Sequence, residues 1–399
     1  MALINTQGYY HLDNRYNNQC TAEWLNSTPV MMRHINLGDI DYYHIDFKNA
    51  ECFVKFPLHT LINEDLFRQI KDSTSNVYLL ASNSHEGFHS AVDPLYKYLI
   101  VSHHIPPEKV IFATGSYDIL EVVERTATKY KTAPCKVMWC LDFELSAKTD
   151  LEFLTHQCAD FVDNHSTLED KKYHKKYLNF NRRWRPARPT FVGLLLARGL
   201  LDQGFVSFGP SDCGNSWPDF WNNIEGMNYT YTKVLEMLKQ VKDQLVNLPP
   251  LYLDTEDLVT NRAALDCGSA KFYRDSYVSL VAETNFYTTH EGFEPGIFYS
   301  EKTFKPILFK HPFVFISTPG MLSPLRQLGY QTFSGIINEG YDLIENDGDR
   351  MLAVLDETQR LCNLSQSQLT EYLAAAREIC DFNFDVLRKK QCFAYKLNF

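Results

Sequence analysis

The sequence predicts an α/β fold built from two open parallel sheets, and three observations predict it. Short apolar runs alternate with amphipathic helical patterns to about residue 175, the same alternation restarts near residue 176, and a charged run separates the two. A chain of 399 residues, 45% hydrophobic and 22% charged, is long enough to bury a core in each half.

In the first half the elements follow in order. "NVYLLAS" from Asn76 reads as a strand and "AVDPLYKYLIVSHHI" from Ala91 as a helix. "KVIFATGS" from Lys109 is a second strand, "YDILEVVERTATKY" from Tyr117 a second helix, and "CKVMWCLD" from Cys135 a third strand. Strand and helix in strict alternation need crossover connections, which defines a Rossmann-like domain over 1–175. The run "TLEDKKYHKKY", Thr167–Tyr177, reads as a solvated linker. The second half repeats the scheme over 176–385. Strands are expected at "KYLNFN", "FVSFG", "YVSLVAE", "PFVFIST" and "QTF". Helices are expected at "RPTFVGLLLARGLL", from Glu301 to Phe309, at "PGMLSPLRQLG", and over the two amphipathic stretches from Asp349 and Gln368. Residues 386–399 are left as a tail, and the aromatic stretch 210–275 reads as a loop-rich insertion. Two such domains facing one another leave a cleft lined by strand C-termini, where open parallel sheets bind ligands.

Composition removes several function classes. A formal charge of −10 disfavours bulk electrostatic coating of nucleic acid. No run approaches a membrane span and the N-terminus lacks a signal peptide's pattern, so a cytoplasmic protein is expected. The ten cysteines show no CxxC or CxxxH spacing and read as reduced thiols, and no metal site is expected. Asp39–Asp41 and Asp347–Asp349 imitate a metal-binding DxD but do not follow a buried strand in a nucleotide-binding pattern.

Two charged motifs point to an anionic ligand. In "LNFNRRWRPARP", Arg182, Arg183, Arg185 and Arg188 fall between a strand and a helix start. A helix N-terminus already carries unsatisfied N–H groups and the positive end of the dipole, so arginines there are costly without an anion and suit a phosphate. In "FYSEKTFKP", Ser300 is placed to cap a helix beginning at Glu301, which puts the Lys302 ammonium at another helix start. Glu301 is an acceptor suited to the two hydroxyls of a ribose.

The stretch from Ser279 to Phe333, through "ETNFY", "YSEKTFKP" and "PGMLSPLRQLGYQTF", resembles the nucleotide-sugar-binding half of GT-B glycosyltransferases. It is most similar to the α1,3-fucosyltransferases and related viral, phage and bacterial transferases, and the resemblance covers roughly residues 175–385. The resemblance implies two Rossmann-like domains of GT-B architecture, with ribose recognition on Glu301 and phosphate contacts on Lys302 and the cluster Arg182, Arg183 and Arg188. Glu283 would line the donor pocket. It also implies an inverting, metal-independent transfer from a nucleoside-diphosphate sugar, a co-substrate with no further cofactor, to a carbohydrate or other hydroxylated acceptor. Inversion needs a base on the acceptor hydroxyl. In "LLASNSHEGFHSAVD" Glu86 follows a strand end, with His85 and His89 beside it, and is the expected base. Asp142 and Glu144 in "LDFE" are the second contenders.

A glycan or protein glycan is the favoured acceptor. A hydroxymethylated base in viral or phage DNA stays open, with Lys171, Lys172, Lys175 and Lys176 as phosphate contacts. A non-catalytic sugar- or nucleotide-binding module is the competing class. Trp217 and Trp221 read either as an acceptor platform or as a packed helical face.

Overall fold

The computed structural model describes residues 2–3, 33–37, 40–46, 64–84, 87, 89–157, 175–181, 184–209, 216–226, 228–251, 253, 270–288, 296–391 and 394–397. The chain divides into two compact units, one comprising 1–142, 289–298 and 391–399, the other 143–288 and 299–390. Both are α/β with parallel strands.

The first unit carries β1 (Ala2–Leu3), β2 (Arg33–Leu37), β3 (Ile40–Asp46), α1 (Glu64–Lys71), β4 (Val77–Asn83), α2 (Val92–Leu95), β5 (Val110–Thr114), α3 (Ile119–Tyr130) and β6 (Lys136–Cys140). β3 to β6 lie side by side in chain order and run parallel. Right-handed crossovers between successive neighbours put every connecting helix on one face. The core shows this: Leu66 and Ile70 of α1, Val92 and Leu95 of α2, and Ile119 and Val123 of α3 pack with Leu79, Ala81, Phe112 and Val137 of the strands. α2 runs on into a π-helical segment, Tyr96–Ser102, where Tyr96 is buried and its hydroxyl accepts from the Cys135 N–H at 2.8 Å.

The second unit begins with α4 (Asp142–Gln157), whose first residue belongs to the first unit, and continues with β7 (Tyr177–Asn181), α5 (Ala187–Ala197) and β8 (Gly204–Phe208). Then come α6 (Trp217–Gly226), α7 (Asn228–Gln240), α8 (Lys242–Val246), α9 (Ala270–Arg274), β9 (Ser279–Ala282), α10 (Glu301–Leu308) and β10 (Phe313–Ile316). α11 (Leu322–Gln327), α12 (Asp347–Cys362) and α13 (Gln366–Lys389) complete it. The strand order is β10-β9-β7-β8, all parallel. From β7 the chain moves outward to β8 and then returns to the far side of β7 as β9, so the direction of winding reverses between β7 and β9. The crevice outside the strand C-termini at such a reversal is where doubly wound sheets take ligands.

Three sequence expectations meet a different structure. The described part of the expected insertion, 216–226, 228–251, 253 and 270–275, is mainly the helices α6 to α9; in α6 and α7, Phe220, Trp221 and Ile224, then Tyr231, Val234, Leu235 and Leu238, recur at helical spacing and are buried. Their packing against α5 is close enough that a Cβ on Gly193 would lie 2.5 Å from Leu238 and 2.8 Å from Leu245. "QTF" is not a strand; Gln331 is instead held by Asn383, which accepts from its N–H at 2.8 Å and donates to its carbonyl at 2.9 Å. The last residues do not trail away: α13 runs to Lys389, capped at its start by a Ser365–Gln368 capping box, and β11 (Ala394–Lys396) pairs antiparallel with β6 and β1. No helix among the described residues is long and apolar enough to cross a membrane.

Candidate functional site

The winding reversal of the second unit brings together the ends of β7 and β9 and the starts of α5 and α10. Within β7, Asn179 donates from Nδ2 to the Leu280 carbonyl at 2.6 Å, and the N–H of its last residue, Asn181, donates to Ser207 Oγ at 3.0 Å. Arg182 and Arg183 lie outside the described residues. Trp184 anchors the loop that follows them, buried against Trp217 at a ring separation of 4.8 Å, with Phe220 and Phe208 near 6 Å. Trp217 therefore belongs to a packed aromatic face, and Trp221 on the same helix is buried beneath the Lys242 ammonium at 4.7 Å. Arg188, at the second position of α5, is buried and donates from Nη2 to the Ala282 carbonyl at 3.3 Å. That bond spans the reversal, from the helix after β7 to the end of β9.

Glu283 follows β9 and is 4% exposed. Its Oε1 accepts from the Ser300 N–H at 3.2 Å and the Thr303 hydroxyl at 2.6 Å. Its Oε2 accepts from the Ser300 hydroxyl at 2.6 Å and the Thr284 N–H at 3.1 Å. A buried carboxylate taking four such bonds fastens the start of α10 to the end of β9. Below it the sheet is held by a core histidine, His311. Its Nε2 donates to the Ser276 carbonyl at 2.9 Å, which leaves Nδ1 to accept from Ser279 Oγ at 2.7 Å.

Ser300 is the N-cap of α10, in extended backbone, and its Oγ accepts from the Lys302 N–H at 3.3 Å. The same oxygen accepts from Lys302 Nζ at 3.0 Å, and Nζ also pairs with Glu301 Oε1 at 2.8 Å. Neighbours one residue apart do not normally face each other on a helix. Here they meet because Lys302 curls back over its own helix start. An ammonium is thereby held at the positive end of a helix dipole, where cations are ordinarily disfavoured. Both side chains stay partly open, Lys302 at 24% and Glu301 at 31%. Burial pulls the Glu301 carboxyl upward, but Lys302 and then Lys305 outweigh it and hold it down at about 2. Lys305 also faces Asp150 on α4, whose carboxyl burial nevertheless raises to about 6.

In the first unit, Glu86 and His85 lie outside the described residues. The C-terminal ends of β4 and β5 carry the buried polar residues Ser82, Asn83, Ser84, Thr114 and Ser116. His89 is buried, and its Nε2 lies 3.0 Å from Asp118 Oδ1. That oxygen also accepts from the Ser116 hydroxyl and the Ile297 N–H, each at 2.9 Å. Burial pulls the Asp118 carboxyl up, yet His89 and these two donors together hold it below the usual carboxylate range. Asp118 is not among the candidates that the sequence pattern brought forward. Its signal is "TGSYD", which places an aspartate four residues beyond a buried strand end.

Of the remaining sequence candidates, Glu144, Asp347, Lys175 and Lys176 have structural partners. Glu144 is fully buried, pairing with Lys390 at 2.8 Å and accepting from the Tyr330 hydroxyl at 2.5 Å; burial raises its carboxyl although Lys390 opposes this. Asp142 is buried at the start of α4. Asp347 accepts from Arg350 and from the Thr288 N–H and hydroxyl, a structural use of the Asp347–Asp349 motif. Lys171 and Lys172 lie outside the described residues, whereas Lys175 donates to the Asp202 carbonyl and Lys176 lies 5.6 Å over the Tyr277 ring.

No protein-family model matches the chain, and no curated protein matches it.

Proposed function

We propose that the second unit binds a nucleoside-diphosphate sugar and that the chain is an inverting, metal-independent glycosyltransferase of GT-B architecture acting on a hydroxyl acceptor. The observation that carries this reading is Lys302 folded over the start of α10, at the reversal of a parallel sheet. The positive end of the helix dipole and the Lys302 ammonium converge there beside the Glu301 carboxylate, and a diphosphate is a ligand that such a positive helix start suits. Glu301, kept ionised by Lys302 and Lys305, is an acceptor for paired ribose hydroxyls.

The roles follow from these groups. Lys302 and the arginines Arg182 and Arg183 neutralise the leaving diphosphate, which supplies cationic stabilisation as the sugar–phosphate bond breaks. Arg188, buried and bonded to the end of β9, adds positive charge at the reversal. Glu283 positions Ser300 and Thr303, so that the start of α10 is preorganised. The resemblance of "ETNFY" and "YSEKTFKP" to the α1,3-fucosyltransferases supports the same assignment. A base on the acceptor completes the reaction, with Glu86 as the sequence candidate.

Titration calorimetry with UDP, GDP, CDP and dTDP, followed by turnover of the matching sugar nucleotides, tests the proposal. One nucleotide is expected to bind and its sugar to be transferred. Binding of none would overturn the reading, and binding with no turnover would make the chain a sugar-nucleotide-binding module.

A further inference from the structure

In the proposed function Glu301 takes a ribose and Lys302 a phosphate, yet in the structure the two side chains hold each other. Lys302 Nζ lies 2.8 Å from Glu301 Oε1 and 3.0 Å from Ser300 Oγ. Ser300 is itself fixed by the strand end. Its hydroxyl donates to Glu283 Oε2 at 2.6 Å and its N–H to Glu283 Oε1 at 3.2 Å, so it offers the ammonium a lone pair that stays in place. Glu301 answers to two lysines: burial raises its carboxyl, but Lys302 and then Lys305 outweigh burial and keep it ionised. Lys305 stands four residues after Glu301, one turn along the same face of α10. Both members of the Glu301–Lys302 pair reach solvent, so a ligand can meet them from outside.

An arriving phosphate therefore meets a matched ion pair and not an isolated ammonium. To give itself to a phosphate oxygen, Lys302 has to turn from Glu301. That move leaves a half-buried carboxylate beside a new anion, and the two like charges repel. The cost disappears if Glu301 receives other donors in the same step. A vicinal diol supplies two hydroxyl donors to one carboxylate. Ribose carries such a diol; 2′-deoxyribose does not, and inorganic pyrophosphate brings no sugar at all. Lys305 stays behind as the counter-charge that keeps Glu301 an acceptor.

We propose that the Glu301–Lys302 pair is a specificity gate for ribonucleoside diphosphates: the sugar diol takes Glu301 from Lys302, and the released ammonium takes a phosphate. This inference rests on the function proposed above and adds that ribose and phosphate recognition are one coupled event. Glu301 determines specificity by keeping Lys302 occupied against free pyrophosphate and against 2′-deoxynucleoside diphosphates. Coupling of this kind is reciprocal, so a nucleoside and a pyrophosphate offered as separate molecules each help the other to bind.

The test is titration calorimetry on the full chain with UDP, GDP, CDP, their 2′-deoxy forms, dTDP and inorganic pyrophosphate. In the wild type one ribonucleoside diphosphate is expected to bind at least about tenfold more tightly than its 2′-deoxy form, and the matching nucleoside is expected to tighten pyrophosphate binding by about tenfold, the low end for a hydrogen bond to a charged group. Glu301→Gln, which keeps the shape and removes the charge, should move two affinities in opposite directions. Pyrophosphate should bind about tenfold more tightly, the ribonucleoside diphosphate more weakly, and the nucleoside should no longer affect pyrophosphate. A merely structural role for Glu301 would weaken every ligand together. Unchanged or weaker pyrophosphate binding in Glu301→Gln overturns the gate and leaves the proposed function standing, as does a wild type that prefers dTDP or binds ribose and 2′-deoxy forms equally. If the variant does not fold, the wild-type experiment with separate nucleoside and pyrophosphate decides, and independent binding of the two overturns the gate. A wild type that binds no nucleoside diphosphate overturns the proposed function and the gate with it.

Discussion

Glu283→Gln removes one charge while keeping the shape of the side chain, and the geometry of its four bonds fixes what that costs. Each carboxylate oxygen faces one backbone N–H, Oε1 that of Ser300 and Oε2 that of Thr284, and each also faces one hydroxyl. The hydroxyls of Thr303 and Ser300 can turn to accept from an amide. The backbone N–H groups cannot. Whichever way the glutamine amide is flipped, its NH2 meets an N–H, so one charge-assisted bond is lost and one buried donor is orphaned. That amounts to about 2 to 3 kcal/mol. Because a chain of two units need not unfold in one step, the assay is native-state hydrogen exchange at the first turn of α10. Exchange at Lys302 and Thr303 is expected to accelerate roughly 30- to 150-fold, following the 1.4 kcal/mol per tenfold relation. Thermal melting should fall in parallel, and nucleoside-diphosphate affinity should weaken as the helix start loosens. Exchange within threefold of wild type would refute the view that Glu283 fastens α10 to β9.

Other perturbations address the remaining groups. Lys302→Ala removes the ammonium from the start of α10 without touching the buried anchor, and calorimetry should show affinity for the bound nucleoside diphosphate reduced by about 1.5 to 3 kcal/mol, the worth of a charge-assisted contact. Asp150→Asn should act through pH. The Asp150 carboxyl is raised from 3.8 to about 6 in the folded chain, so its ionised form destabilises the fold above about pH 6, and the penalty disappears as pH falls below about 4. Melting should therefore show the variant more stable at pH 8, by up to about 3 kcal/mol, and no better than wild type at pH 3.5. Gly296→Ala forces a methyl group into Ser116, His89 and Asp118, so melting should register about 1 to 3 kcal/mol of strain, with donor affinity retained.

The parts of this chain that were legible in its sequence are those governed by local rules. Alternating apolar runs located β4 to β10, because buried parallel strands and their crossover helices each carry their own periodicity. The cap at Ser300 was legible for the same reason: a serine before an acidic residue and an apolar pattern satisfies donors within its own turn. "QTF" misled because its backbone groups are taken by side chains and not by a neighbouring strand: those of Gln331 by Asn383, 52 residues further on, and the Phe333 N–H by Glu339. The stretch 210–275 misled because its Asn, Gly and Pro residues obscured aromatic spacing that is helical over α6 and α7.

Chemistry was less legible than structure because it is assembled across sequence distance. Glu283 could be placed at a strand end, but nothing local indicates that its oxygens are taken up by residues 17 and 20 positions later. His89 and Asp118 are 29 residues apart, on the loops after β4 and before α3, and the backbone that closes over them comes from residues 296 and 297. A parallel sheet creates such meetings by construction, since every strand delivers the residue after its last one to the same edge. The useful sequence signal is therefore the set of polar residues just beyond successive buried strands: Ser84 after β4, Ser116 and Asp118 after β5, Glu283 after β9. Within that set, a carboxylate with every lone pair matched to a donor, such as Glu283, holds the backbone in place. A carboxylate that shares a single oxygen among an imidazole, a hydroxyl and an N–H, as Asp118 does, ties segments distant in the sequence to one point.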